Sequence, residues 1–354
     1  MIFGEALSVG LDIGSNAIKI AGIRRQRVPK IEFLRHFDFF LSRKVKQLED
    51  LTDTIIIQVL RDLIKSIPFS IHRVHSTLSA AETEVRTLEI PVISHDEIKP
   101  ALRWNLSSMI TTPVESVEYD YHVLNRHKSN NMMDVIVGLA PQESLSNHLE
   151  ILSRTKLEPI SVDIDSLAVY NCFISLYQFQ NDDPVILLNI GAEKTSLIIC
   201  HPQQDPLIAS YPIGGNQLTR QIEAHLHISF CDADEEKSKL NDTAKSDIND
   251  SPYFTNQKSR ELVLQFTDSL YEIINQNNIY YQIQYGTESA EKIFLTGGGA
   301  NLHQLDFFLA QKSKIPVFRW NPLASDGINF PSGDMSTLAS GLFYTTAIGL
   351  ALRE

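Results

Sequence analysis

Residues 7–20, Leu-Ser-Val-Gly-Leu-Asp-Ile-Gly-Ser-Asn-Ala-Ile-Lys-Ile, constrain this chain more than any other stretch. Leu7, Val9 and Leu11 alternate like one face of a buried strand. Asp12 ends the apolar run, Gly14 and Ser15 make a tight turn, and residues 17–22 resume as a second strand. A strand–turn–strand with Asp-x-Gly-Ser at its tip suits a phosphorylated ligand. Without a Cβ at Gly14, backbone N–H groups of the turn can approach phosphate oxygens. The Asp12 carboxylate can hold a hydrated Mg²⁺ over the same phosphates, because that ion prefers oxygen ligands and keeps several waters. Taken alone, the stretch reads first as an ordinary hairpin that contains Asp and Gly.

Two later stretches change that reading. Residues 185–199 repeat the design: an apolar strand, Asn189-Ile-Gly191 at the turn, a polar tip, and a strand out that begins near Thr195. Residues 293–302 form a short apolar strand running into Gly297-Gly298-Gly299 and then Ala300-Asn301. Two phosphate hairpins, one in each half, followed by a Gly-rich loop resemble the actin-like ATPase superfamily. There such glycines let the adenosine lie flat on the backbone. The order and spacing of the three motifs carry the resemblance, since each is weak alone.

At 354 residues the chain is long enough for two domains with sizeable cores. Its 43 acidic and 31 basic residues give a net charge of −12, which argues against a phosphate-neutralising nucleic-acid surface. Cys172, Cys200 and Cys231 stand apart without C-x-x-C spacing, which suits a reducing compartment and offers no zinc site. The pairs His225/His227 and His72/His75 lack convergent ligands and read as ordinary side chains. No signal peptide, lipidation motif or apolar run of about 18 residues is present, so a soluble, cytoplasmic protein is expected.

Along the chain, residues 31–40 read as a strand and residues 51–67 as an amphipathic helix stopped before Pro68. A separate unit follows over residues 75–158. It has a strand at 85–90, a capping box of Ser94 and Glu97 opening a helix to 110, strands at 117–124 and 133–140 around a polar turn, and a helix at 144–155. An insertion of this size with its own sheet looks like a partner-docking module. A strand at 160–164 and a helix at 166–178 return to the first domain. Residues 181–184 read as a hinge. Residues 232–257 turn polar and acidic, with 246–257 expected as a mobile loop. A long amphipathic helix at 262–283 carries a tyrosine stripe that reads as core, and a last helix at 338–352 returns to the first domain.

With these stretches in place, the chain resembles the PilM family of the type IV pilus inner-membrane platform across essentially its whole length. Gly10–Lys19, Ala101-Leu-Arg-Trp104, the Val162-Asp-Ile-Asp165 run, Pro212–Thr219, Leu295–Leu302 and Ile348–Leu352 carry it. The resemblance implies an α/β, actin-like (ribonuclease H-like) two-domain ATPase fold with an inserted 1C-type subdomain. The implied division is 1–74, 159–181 and 336–354 as core 1A, 75–158 as 1C, 182–230 and 290–335 as core 2A, and 231–289 as 2B. It also implies ATP or ADP with Mg²⁺ in the interdomain cleft. The N-terminal cytoplasmic peptide of a PilN-like membrane protein would dock at the 1A/1C groove, with other platform proteins nearby. The protein would then sit at the inner face of the bacterial inner membrane through its partners.

The implied cofactor contacts are Asp12, Gly14, Ser15, Asn16, Lys19, Asn189, Gly191, Thr195, Gly214, Gly215, Asp234, Lys237, Gly297, Gly298, Gly299 and Asn301. Asp12 is the metal residue, through water. Asp234 and Lys237 match a helix start that holds the ribose, with Asp234 in place of Glu; a solvated charged face is the alternative. Asp165 stands where relatives orient the attacking water, or it is simply an N-cap. Trp104 is a candidate anchor for the partner peptide, with a core residue on a helix face as the alternative.

One departure bears on activity. Relatives begin the second hairpin with Asp-Ile-Gly, whereas here Asn189 stands first. Asn accepts a hydrogen bond but brings no negative charge for Mg²⁺, so metal-assisted hydrolysis suffers more than binding. At most a slow ATPase is expected. The rivals are an FtsA-like division protein, which needs a C-terminal amphipathic helix beyond Leu352-Arg-Glu354, a small-molecule kinase, which needs a base over a substrate pocket, and a chaperone-type ATPase, which needs a substrate domain.

Overall fold

The computed structural model describes residues 7–353 except 79–82, 111, 128–130, 240–256, 303, 332–337 and 339. The expected loop at 246–257 therefore lies outside the described residues apart from Gln257, as do residues 128–130 of the turn in the inserted unit.

Two five-stranded sheets share one topology. The first joins β1 (Leu7–Ile13), β2 (Ala17–Arg24), β3 (Lys30–Asp38), β4 (Arg73–Thr77) and β8 (Glu158–Asp163) in the order β3-β2-β1-β4-β8. The second joins β9 (Val185–Ile190), β10 (Thr195–Cys200), β11 (Leu207–Tyr211), β12 (Lys292–Thr296) and β13 (Val317–Arg319) in the order β11-β10-β9-β12-β13. In each, three antiparallel strands are followed by two parallel ones, so the hairpins read as similar in sequence occupy equivalent places. Every residue of β9 and β10 is buried, which is why residues 185–188 and 197–199 read as continuous apolar runs rather than alternating ones.

Helices fill the layers around these sheets. α1 (Asp53–Lys65) and α3 (Gln142–Arg154) cover the outer face of the first sheet. α4 (Asp165–Leu176) and α9 (Thr345–Leu352) lie between the sheets, where Val169, Phe173, Ile348 and Ala351 pack with Ile23, Leu187 and Ile198. α5 (Gly215–Leu226), α7 (Gln257–Tyr285) and α8 (Leu305–Ser313) cover the outer face of the second. α6 (Phe230–Lys239) joins the halves: Phe230 is buried in the core of the first half, with its ring 4.8 Å from that of Phe40.

The inserted unit has its own three-stranded antiparallel sheet, β5 (Glu84–Pro91), β7 (Met132–Pro141) and β6 (Val117–His127), with α2 (His95–Met109) on it and a core of its own. The Ser94 N–H donates to Glu97 Oε2 at 3.1 Å, the expected capping box. Four expectations shift. The helix expected at 144–155 in the inserted unit is α3, which packs on the first sheet, and residues 75–77, expected in the same unit, lie in β4 of that sheet. The helix expected from residue 166 begins at Asp165 with Ile164 as its N-cap, so Asp165 is not a cap. The last helix starts only at Thr345, behind a 3₁₀ turn at Gly341–Tyr344. The tyrosine stripe of α7 divides, with Tyr281 buried and Tyr280 facing outward.

Candidate functional site

A cleft of about 210 Å³ opens between the halves, and both hairpins, the glycine loop and α6 converge on it. In the first hairpin Asp12 stands directly across from Lys19, so the register puts their side chains on one face, paired at 3.0 Å. At the same register of the second hairpin Asn189 faces Ser196. The ion pair of the first hairpin thus has a neutral counterpart in the second. Both tips close alike: Gly14 N–H donates to Ala17 O at 3.0 Å and Gly191 N–H to Lys194 O at 2.8 Å. Since these two amides hold the turns, phosphate donors would have to come from the other tip amides.

The start of α5 is tied to the second hairpin. Gly215 N–H donates to Gly191 O at 2.9 Å and Asn216 N–H to Ala192 O at 2.7 Å. A Cβ on Gly214 would lie 2.3 Å from Ala192 O, so only glycine allows this approach. The glycine loop rests on the same hairpin. Gly297 has φ of 84°, and a Cβ there would fall 2.5 Å from Asn189 Oδ1.

Asp165, at the first turn of α4, faces the cleft from between the hairpins, its Oδ2 accepting from Ser196 Oγ at 3.4 Å. Burial, with the Asp12 charge adding to it, pushes its carboxyl up to about 6. On α6, Lys237 Nζ donates to Asp234 Oδ1 at 2.5 Å, to Thr219 Oγ1 at 2.6 Å and to Gly215 O at 3.4 Å. Asp234 is buried and Lys237 nearly so, which removes the alternative of a solvated face. Between the halves, Asn16 and Asn216 exchange amide hydrogen bonds, and Asn216 also donates to Glu193 Oε1 at 2.6 Å.

Most of the expected residues line this cleft; Thr195, Gly214 and Asn301 do not. The Thr195 hydroxyl is buried and donates to Ile213 O at 2.6 Å. Sequence reasoning missed Asp38, Glu193, Lys194 and Phe343, which also line it. Only Glu193 and Lys194 carried a signal, as the polar tip of the second hairpin. Leu218, Phe266, Leu302, Leu342 and Phe343 make one part of the wall apolar. Among the described residues no group of three His, Cys, Asp or Glu side chains gathers as metal ligands. A hydrated ion held by one carboxylate needs no such group.

A family model described as type IV pilus assembly protein PilM matches residues 10–354. The solved structure of a PilM-PilN type IV pilus biogenesis complex aligns with a TM-score of 0.81 at 22% identity, covering 99% of this chain and 98% of that one. The ethanolamine utilization protein EutJ from Carboxydothermus hydrogenoformans aligns with a TM-score of 0.54 at 13% identity, covering 98% of this chain and 89% of that one. The fold is accordingly actin-like, as expected. No helix among the described residues is long and apolar enough to cross a membrane.

Proposed function

We propose that this chain, which belongs to the type IV pilus assembly protein PilM family, is a pilus-assembly scaffold that binds ATP or ADP in its interdomain cleft. The observation that carries the nucleotide part is the convergence of both hairpins and the glycine loop on one cavity with a polar and an apolar wall. The apolar wall by Gly298 and Phe343 suits a base. The hairpin tips with Lys19 and Lys194 suit phosphates. There two lysines face three carboxylates, Asp12, Asp165 and Glu193, so a phosphate chain arrives at a wall without surplus positive charge. Mg²⁺ held by Asp12 through water would supply the missing positive charge. Asp165 would hold water near the terminal phosphate. Asn189, by contrast, adds no charge, which favours a scaffold over a fast ATPase.

The partner part rests on the family and on the similar solved structure, a complex of PilM with PilN. A PilN-like N-terminal peptide would dock on the first half beside the inserted unit, bringing the scaffold to the inner membrane, where other platform proteins would meet it. In support, Trp104 of α2 is 81% exposed, which sets aside its core alternative, and Ile160 stands exposed on the edge strand β8. Calorimetric titration of the intact protein with ATP and Mg²⁺, and separately with such a peptide, tests both parts. Absence of nucleotide binding would remove the cleft reading, and absence of peptide binding the docking one.

A further inference from the structure

The turn after β3 clamps α6 across the mouth of the cleft. Phe39 and Phe40 are fully buried, and Phe40 packs on Phe230. Cys231 N–H donates to Lys46 O at 3.1 Å, and Phe230 N–H to Gln47 Oε1 at 3.3 Å. Arg43 pairs with Glu235 at 2.6 Å and with Asp232 at 3.1 Å. This clamp fixes Asp38, at the head of the turn, opposite the Asp234–Lys237 pair in the same cleft.

The hydrogen bonds at this wall are unevenly shared. All three ammonium hydrogens of Lys237 already have acceptors. Asp234 Oδ1 accepts from both Lys237 and Thr219. Asp38 Oδ1 accepts from Phe40 N–H at 2.9 Å and Leu41 N–H at 2.8 Å, and no hydrogen bond falls on Asp38 Oδ2 among the described residues. Burial, with the Asp234 charge adding to it, raises the Asp38 carboxyl above the usual range. The wall therefore repels anions and has a spare acceptor. A ligand group that suits it donates hydrogen bonds without negative charge, which describes sugar hydroxyls and excludes phosphates.

We infer that Asp38 Oδ2 accepts a hydrogen bond from a ribose hydroxyl of the nucleotide, so the first half selects ribonucleotides while Asp234, held in place by Lys237, faces the sugar from the second. This inference rests on the nucleotide reading of the cleft.

The experiment is calorimetry of the intact protein with ADP, 2′-deoxy-ADP and 3′-deoxy-ADP, each with Mg²⁺, on wild type and Asp38→Asn. Asn keeps a side-chain oxygen for the Phe40 and Leu41 amides. Wild type should bind one of the two deoxy analogues about tenfold or more weaker than ADP, the scale of one hydrogen bond to a charged group. In Asp38→Asn that preference should fall to within about twofold. Equal wild-type affinity for all three would overturn the role of Asp38 and leave the nucleotide reading standing, as would an unchanged preference in Asp38→Asn. If wild type binds none of them, both fall together.

Discussion

Asn16 and Asn216, 200 residues apart in sequence, exchange two side-chain amide hydrogen bonds across the cleft at 2.7 and 2.9 Å. Asn216 is fully buried, and its remaining N–H goes to Glu193 of the second hairpin. One amide pair thus ties the tip of the first hairpin, the start of α5 and the tip of the second.

Breaking that tie should cost stability in a coupled way. Asn216→Ala leaves two partners without their bond and should cost about 1–3 kcal/mol, with Asn16→Ala costing less. The double variant should cost less than the two single losses together, because they share the same bonds. Urea denaturation of the four proteins measures this, and strict additivity would show that the pair contributes nothing.

Gly298→Val should fold and fail to bind ATP. Its backbone is not in the left-handed region, and a Cβ there points at the Phe343 ring, 3.2 Å away, within the cleft. Gly297→Val is the contrasting variant: its positive φ and the contact with Asn189 should make it unstable whether or not nucleotide is present. Wild-type ATP affinity in Gly298→Val would show that the base does not lie on this loop.

The neutral Asn189/Ser196 pair predicts slow turnover, well below the common enzyme median of ~10 s⁻¹. Asn189→Asp should raise any ATPase activity if metal placement limits it. Without metal, the same change puts an unpaired carboxylate beside Asp165 and should destabilise the protein by about 3 kcal/mol. Adding Ser196→Lys should recover most of that loss, as Lys19 does for Asp12. Chemical denaturation in EDTA tests the stability part, and phosphate release the activity part.

His148 should make the protein sensitive to acid. It is buried on α3, hydrogen-bonded at 3.0 Å to Ser76 Oγ, and burial lowers its pKa to about 4 from 6.5. The unfolded chain then binds a proton between those values that the folded one does not. Stability from this group is full above the unfolded pKa and drains as pH falls toward 4, by about 3 kcal/mol. His148→Gln should flatten that part of the curve of stability against pH between 7 and 4. An unchanged curve would mean that His148 takes up its proton without unfolding.

What the sequence determined by itself was local. Leu7–Lys19 had to be a hairpin, because an apolar alternation, an Asp-x-Gly-Ser turn and a second alternation fit little else. Its likeness to residues 185–199 told of two equivalent halves, and Ser94 with Glu97 marked a helix start. These signals lie within a few residues of one another, so chain geometry alone ties them to a structure.

What only the tertiary structure decided lies between segments. Phe230 looks like any apolar residue of the second half, yet it completes the core of the first. Asp38 carries no local mark of the cleft and becomes part of it only when the clamp sets its turn against α6. Lys194 reaches out of its own hairpin to Thr83 O of the inserted unit at 2.7 Å, a link no spacing announces. Hydrophobic period records which side of an element is buried. The partner on that side depends on how the two halves dock, and that is set by the summed packing of surfaces far apart in sequence.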